Sequence, residues 1–351
     1  MTSIFDITII SSYAHRTHYP KAFYTMLIIA ILAILMGIGV GWSIGANDAA
    51  NSLGTAVGAK AITLKQAIIL ICVFGFLGAF FQGGHVAKTI GKGIVPMQDL
   101  TKDMATCVAL VAASGACAWV VIATRWKIPI STSHSIVGAV AGAGLAIGAP
   151  IKYKIILDIF ICWFLTPIGA ALLAYVFYRV FKTIFYRFIP HRIAGPLIRT
   201  LVIVSGCYVA FTWGANDVAN ATGVMSGAGI MLPHISIVIG AAAILLGITT
   251  CGYRVIQTVG TGITNLLPIM AFAAQLASAI NVHIYTLIGI PVSTSHSIVG
   301  AIFGVGLVRG VRAINTRIIR EIVLCWLATP FVSGIVSFTT LKMITLFLKV
   351  N

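Results

Sequence analysis

The sequence of 351 residues predicts an all-α polytopic membrane protein that is built from two repeats. Hydrophobic residues form 59% of the chain and charged residues only 9%, whereas soluble globular domains carry roughly 25% charged residues. With a mean hydropathy of +1.05, the chain has too few polar side chains to cover a water-soluble particle. Long apolar runs without an alternation of period two favour helices over strands.

Each half of the chain contains four apolar runs that we expect to cross the roughly 30 Å hydrocarbon layer as helices. In the first half these runs cover about 24–44, 66–87, 104–124 and 155–178. In the second half they cover about 199–213, 235–253, 265–289 and 318–341. We therefore expect a multi-pass protein of the cell membrane, in contact with the lipid bilayer.

Four segments of the first half recur in the same order in the second half, which is the signature of an internal repeat. GANDAANSLG at 45–54 returns as GANDVANATG at 214–223, and HVAKTIGKGI at 85–94 returns as RVIQTVGTGI at 254–263. STSHSIVGA at 131–139 is identical at 293–301, and DIFICWFLTP at 158–167 returns as EIVLCWLATP at 321–330. These matches predict a first repeat over 23–180 and a second over 198–348.

Two segments lie outside the predicted repeats. Residues 1–22 lack an uninterrupted apolar stretch, so we interpret them as a polar N-terminal tail and not as a cleaved signal. Residues 181–197 form a basic linker within a stretch free of acids, between Asp158 and Asp217, which the positive-inside rule places in the cytoplasm. Because the 23 basic residues of the chain lie mostly between apolar runs and not on one polar surface, nucleic acid is excluded as a partner.

Two aspartates at matching positions are the strongest functional signal. Asp48 and Asp217 both lie in the GAND segments, amid apolar sequence. A charged side chain in mid-membrane costs at least about 2.5 kcal/mol, so a lone aspartate would be interpreted as interfacial. Paired interruptions in two repeats instead indicate a transporter's binding site. The neighbouring amides add hard oxygen ligands that suit a small cation or a proton: Asn47, Asn51, Asn216 and Asn220.

The two hydroxyl runs are predicted to begin helices. Serine and threonine are common N-caps, and we accept capping as part of their role. A helix N-terminus also carries partial positive charge and free N–H groups, so hydroxyl donors there suit a tetrahedral anion. The residues concerned are Ser131, Thr132, Ser133, Ser293, Thr294 and Ser295. His134 and His296 are expected to orient these segments, with proton coupling as the alternative.

Thr89 and Thr258 occupy matching positions near glycines and could supply further hydroxyl oxygens to a cation. The alternative is helix packing, which commonly uses Thr and Gly in membranes. Lys88 and Lys92 have no basic counterparts in the second repeat, so we expect them at a membrane face. No nucleophile–base pair or Walker-type loop accompanies these motifs, so we expect neither an enzyme nor a resident cofactor.

The duplicated GAND and STSHS segments resemble the inorganic phosphate transporter (PiT) family over about 24–345. The resemblance implies two inverted repeats with broken helices and two re-entrant helical hairpins, assembled as a homodimer, that move phosphate with sodium or protons. By position it implies a phosphate site at Asp48, Asp217 and the six hydroxyl residues. It also implies a cation site formed by the four asparagines, both aspartates, Thr89 and Thr258, with sodium at Asn47, Asp48, Asn216 and Asp217.

The sequence departs from this family at one position. Sodium-coupled animal members carry a glutamate in the span before the KTIGKGI-like segment, and the corresponding region around Gly75 and Ile244 has none. The coupling ion therefore stays open, with sodium preferred to protons. Three other functions remain as alternatives: a sulfate permease of the same build, an anion channel, and a membrane-embedded enzyme acting on phosphoesters.

Overall fold

The structure is a computed structural model that describes residues 20–126, 130–252, 267–308 and 316–348. These segments are almost entirely helical. In chain order the helices are α1 (Pro20–Asp48), α2 (Ala50–Gly58), α3 (Leu64–Lys88), α4 (Lys102–Arg125), α5 (Thr132–Ala146), α6 (Tyr153–Phe188), α7 (His191–Gly227), α8 (Pro233–Gly247), α9 (Pro268–Leu287), α10 (Thr294–Leu307) and α11 (Thr316–Leu348). A π-helical turn extends α3 over Thr89–Gly93, and another extends α8 over Ile248–Gly252.

Eight helical spans in the described segments are long and apolar enough to cross a membrane. They are formed by α1 with α2, by α3, α4, α6, α7, α8 and α9, and by α11, and each overlaps one of the eight apolar runs. Many of their large hydrophobic side chains are exposed, as expected for a surface in contact with lipid. The prediction of a multi-pass helical membrane protein is therefore confirmed.

The two GAND segments differ in backbone structure although their sequences match. In the first repeat, helical hydrogen bonding is interrupted at Ala49, so that Asp48 ends α1 and Ala50 begins α2. In the second repeat the equivalent segment lies inside the uninterrupted helix α7. Only the first of these segments breaks its helix.

The basic linker of the sequence consists largely of helix. Helix α6 continues to Phe188 and α7 begins at His191, which leaves only Ile189 and Pro190 between them. A residue before proline is driven out of the α region, and Ile189 is accordingly extended with φ −100° and ψ 118°. Proline therefore separates the two repeats sharply.

The repeats interlock through glycines. Helix α5 of the first repeat packs on α11 of the second, where Gly138 meets the backbone of Pro330. Symmetrically, α10 of the second repeat packs on α6 of the first, where Gly300 meets the backbone of Pro167. A Cβ atom at either glycine would overlap the facing carbonyl oxygen, so only glycine permits this approach.

Helices α5 and α10 have 15 and 14 residues and are therefore only about 22 Å long, shorter than the hydrocarbon layer. Each follows a longer helix, α4 or α9, and packs against it. The end of α5 returns to the segment that precedes α4, where the Lys152 amide donates to the Ile94 carbonyl at 3.1 Å. Both short helices direct their N-termini at the GAND segments.

Candidate substrate and cation site

Both predicted acids are buried among the helices. Asp48, at the break between α1 and α2, is 3% exposed, and Asp217, within α7, is 1% exposed. Burial of a carboxylate is costly unless hydrogen bonds satisfy its oxygens. The partners of these two side chains therefore define the site.

The Asp48 carboxylate accepts three hydrogen bonds from neutral donors. The Thr132 hydroxyl donates to Oδ2 at 3.1 Å. The Ser295 hydroxyl at 3.3 Å and the Asn47 amide at 3.2 Å both donate to Oδ1. Asp48 thus joins the start of α5 to the start of α10.

Asp217 has an equivalent set of partners. The Thr294 hydroxyl donates to Oδ2 at 3.1 Å, and the Asn220 amide donates to Oδ1 at 3.4 Å. The Asn216 amide, oriented to satisfy both of its polar atoms, also donates to Oδ1 at 3.3 Å and to the Val292 carbonyl at 2.9 Å. Hydroxyl and amide groups thus surround both acids, and no basic side chain takes part in these bonds.

Two further hydrogen bonds connect the repeats to each other. The Asn51 amide donates to the Ser295 hydroxyl at 2.7 Å, and the Asn220 amide donates to the Ser133 hydroxyl at 3.0 Å. Asn51 and Asn220 hold equivalent positions in the GAND segments, and Ser133 and Ser295 hold equivalent positions in the hydroxyl runs. Each asparagine therefore reaches the short helix of the other repeat, which makes the site a single unit.

The first serine of each hydroxyl run is an N-cap. Ser131 Oγ accepts from the His134 amide at 3.3 Å, and Ser293 Oγ accepts from the His296 amide at 3.2 Å. The threonine and second serine of each run are instead turned towards the acids and asparagines. The earliest N–H groups of α5 and α10 have no intrahelical acceptors, so each helix end presents donors to the same region.

The segment before α10 closes one side of the site. The Val292 carbonyl accepts from the Ser133 hydroxyl at 2.9 Å, and the Pro291 carbonyl accepts from the Trp163 indole at 3.0 Å. Sequence reasoning did not identify these backbone partners, because a carbonyl carries no sequence signal. On the other side, Asn47, Asn51 and Ser295 are partly exposed. The site is therefore more accessible at the first GAND segment than at the second.

Behind the site, the two histidines stack on tryptophans. The His134 ring lies 3.6 Å from the Trp163 ring, and the His296 ring lies 3.5 Å from the Trp326 ring, measured between centroids. The His134 and His296 rings themselves are 4.5 Å apart in an edge-to-face arrangement. Both imidazoles are buried, and this packing supports the orienting role expected for them.

The predicted threonines lie elsewhere or are not described. Thr89 belongs to the π-helical turn after α3 and lines a separate cavity, together with Lys88. It forms no described hydrogen bond with either aspartate. Thr258 lies outside the described residues. Of the predicted site residues that the structure describes, all except Thr89 lie together.

The chain is similar to other protein sequences over most of its length. The model of the phosphate transporter family matches twice, over residues 44–194 and 186–337. A Pyrococcus furiosus protein that is provisionally named phosphate permease is 33% identical, over 88% of this chain and 94% of that protein. An Arabidopsis thaliana protein named inorganic phosphate transporter 2-1, chloroplastic, is 29% identical, over 86% of this chain and 70% of that protein.

One solved structure has the same architecture. It is described as the sodium-dependent phosphate transporter and superposes with a TM-score of 0.83 at 30% sequence identity. The alignment covers 91% of this chain and 99% of that structure. Because the alignment covers nearly the full length of both chains, it includes both repeats of this chain.

Proposed function

The chain belongs to the phosphate transporter family, and from this premise we propose that it is a secondary transporter that imports inorganic phosphate together with a cation. The observation that carries the proposal is that the N-termini of α5 and α10 are each hydrogen bonded to a buried aspartate of the same repeat. Two donor-rich helix ends facing two acids form a site in which an anion and a cation must bind together.

The phosphate oxygens would be held by neutral donors. Thr132, Ser133, Thr294 and Ser295 supply hydroxyls, and the first turns of α5 and α10 supply backbone N–H groups. The caps Ser131 and Ser293 would hold these helix ends in place. An ionised aspartate accepts hydrogen bonds but cannot donate them, so it would accept a hydrogen bond from the P–OH group of hydrogen phosphate. Sulfate has no such proton at neutral pH, which favours phosphate over the alternative sulfate permease.

Electrostatics would couple the anion to the cation. Two like unit charges 4 Å apart repel by about 4 kcal/mol at an effective dielectric constant of 20. Hydrogen phosphate beside Asp48 and Asp217 would therefore bind poorly until a cation or proton neutralised the carboxylates. By linkage, an ion that strengthens phosphate binding is itself bound more strongly when phosphate is present. This reciprocity is the basis of symport.

We propose sodium as the coupling ion, held by oxygens of the GAND segments. Carboxylate and amide oxygens are hard ligands that suit a small hard cation. Asn47 and Asn216 flank the two acids and, with Asp48 and Asp217, supply these oxygens. Asn51, Asn220 and, by sequence, Thr258 complete the proposed cation-binding set, whereas Thr89 lies in a separate cavity and is not part of it. The similarity to a structure described as sodium-dependent supports this choice over protons.

During transport, the site would open alternately to the two sides of the membrane. The short lengths of α5 and α10, and the return of α5 to the start of its own hairpin, support two re-entrant hairpins whose tips meet at the site. A transport domain formed from both repeats would then move against a scaffold, in a homodimer. A pair of buried acids has no place in a simple anion channel, which makes that alternative less consistent with the site.

The test is uptake of labelled phosphate by proteoliposomes that contain the purified protein. We expect accumulation driven by an inward sodium gradient, competition by arsenate and weak competition by sulfate. A proton gradient that alone drives uptake would assign the coupling to protons. Uptake indifferent to both gradients would contradict symport, and stronger uptake of sulfate than of phosphate would support the sulfate permease.

A further inference from the structure

A second cavity lies beside the buried site but is separate from it. Its volume is about 510 Å³, and it opens at the surface between the end of α3 and the loop after α9. Part of its wall is formed by Gly84, His85, Lys88, Thr89 and Gly289, and the rest is apolar: Phe80, Phe81, Ile237, Leu287 and Ile288. None of the aspartates, asparagines or serines of the candidate site lines it.

One wall of this cavity carries a lysine that would attract anions. Lys88 and His85 are exposed, and no acidic side chain is among the lining residues. Lys88 forms no ion pair with the acidic side chains that the structure describes, so its ammonium charge is available to a ligand. A cleft lined by charge of one sign raises the local concentration of ions of the opposite sign.

Only a short backbone segment separates the cavity from the aspartates. Residues 288–292 line the cavity at Ile288 and Gly289, and reach the buried site at Val292, whose carbonyl accepts from Ser133. Gly289 has φ +76°, and a Cβ atom there would lie 3.2 Å from the His85 carbonyl oxygen. Glycine thus allows this segment to turn closely against α3.

The cavity lies at the end of the molecule opposite the basic linker. The Arg199 side chain at the start of α7 donates to the Ala61 carbonyl at 2.7 Å, so the start of α3 lies near that linker. Lys88 follows Leu64 at the far end of α3, about 36 Å along the helix axis. If the linker is cytoplasmic, the cavity faces the outside.

We propose that this cavity is an entrance chamber in which phosphate first docks on Lys88 before it passes residues 288–292 to the aspartates. The inference rests on the proposed function and adds to it a second, weaker anion site with a named cationic residue. It accounts for the presence of a lysine that the other repeat lacks, where Gln257 takes its place. Thr89 belongs to the wall of this chamber.

The first experiment removes the charge. Phosphate uptake is measured against phosphate concentration for wild type, Lys88→Gln, Lys88→Arg and the control Lys92→Gln, at constant sodium and two concentrations of choline chloride. We expect Lys88→Gln to lower Vmax/KM by about threefold to tenfold at low ionic strength with little change in Vmax, and the deficit to shrink at high salt. Lys88→Arg should restore uptake, and Lys92→Gln should resemble wild type.

The second experiment obstructs the chamber without removing a charge. A Cβ atom on Gly84 meets nothing within 4 Å, so Gly84→Ala should fold and transport normally. Gly84→Phe should fill part of the chamber and lower phosphate uptake at least tenfold, while the protein elutes from a sizing column as wild type does.

The outcomes separate this inference from the proposed function. A wild-type protein that takes up no phosphate contradicts the proposed function. Wild-type uptake that is unchanged in Lys88→Gln, or lowered equally by Lys92→Gln, overturns the entrance chamber alone. Normal uptake by a folded Gly84→Phe variant also overturns it.

Discussion

His134 donates its Nδ1 proton to the Trp326 carbonyl at 3.0 Å. Because the acceptor is a carbonyl, Nδ1 must carry the hydrogen. Trp326 lies four residues before Pro330 in α11, and proline has no N–H to complete the helical bond to that carbonyl. The histidine at the start of α5 thus satisfies an acceptor that the proline leaves open, and it ties the first repeat's short helix to the second repeat's long helix.

This relationship predicts a coupled effect on stability. His134→Phe keeps a ring for stacking on Trp163 but leaves the Trp326 carbonyl without its donor. We expect a loss of about 1–3 kcal/mol in the free energy of unfolding, the usual cost of a buried unsatisfied polar group. Pro330→Ala in the same chain would restore a helical donor and recover part of the loss. Thermal unfolding in detergent measures both effects, and strictly additive losses would contradict the explanation.

Neutralising either buried acid should abolish coupled transport. Asp48→Asn and Asp217→Asn each remove a carboxylate that would bind the cation, so we expect no sodium-driven accumulation of phosphate above background. Asp158→Asn is the control, because Asp158 is exposed on α6. Labelled uptake into proteoliposomes is the measurement. Wild-type accumulation by either GAND variant would remove its aspartate from the proposed mechanism.

The hydroxyls that donate to the acids should contribute to substrate affinity. Thr132→Val and Thr294→Val keep the side-chain shape but lose the donors that hold the carboxylates at 3.1 Å. We expect the KM for phosphate to rise about tenfold or more, as for the loss of a hydrogen bond to a charged group. Thr222→Val removes a buried hydroxyl that donates only to its own helix, at Val218, and provides the matched control. Equal effects in all three variants would contradict a specific role.

The glycine contacts between repeats should be intolerant of a methyl group. Gly138→Ala and Gly300→Ala place a Cβ atom against facing backbone that cannot move aside as a side chain would. Overpacking of this kind typically costs 1–3 kcal/mol, so we expect thermal stability to fall by about that amount. Gly195→Ala is the control, because nothing lies within 4 Å of its added Cβ. Unchanged stability in Gly138→Ala would show that α5 and α11 can separate.

Much of the architecture could be predicted because it depends on local pattern. Each of the eight apolar runs overlaps a helix long enough to span the membrane, since the length and hydropathy of a segment decide that outcome locally. Ser131 and Ser293 cap helices as expected, because capping involves only neighbours three residues apart. The GAND segments differed from expectation, because only the first of the two is interrupted.

The sequence indicated which acids, amides and hydroxyls lie together in the candidate site, but not which of them are hydrogen bonded to each other. The internal repeat pointed to the acids, amides and hydroxyls as site residues, because the same residue types at matching positions of two repeats imply a shared role. Nothing in the sequence placed Lys88 and Thr89 in a separate cavity, away from the aspartates. Which cavity these two residues line depends on how α3 packs on its neighbours, and local sequence pattern does not encode that packing.

By itself, the sequence determined that this chain is a duplicated, membrane-spanning helical protein with two acids in its interior, since burial and helix formation follow from composition and spacing. Only the tertiary structure decided that Asn51 bonds Ser295, 244 residues away, while Asn220 bonds Ser133 in return. The physical reason is that a hydrogen bond requires atoms within about 3 Å. Across two interlocked repeats, that proximity is set by how the helices of one repeat pack on those of the other, as at Gly138 and Gly300.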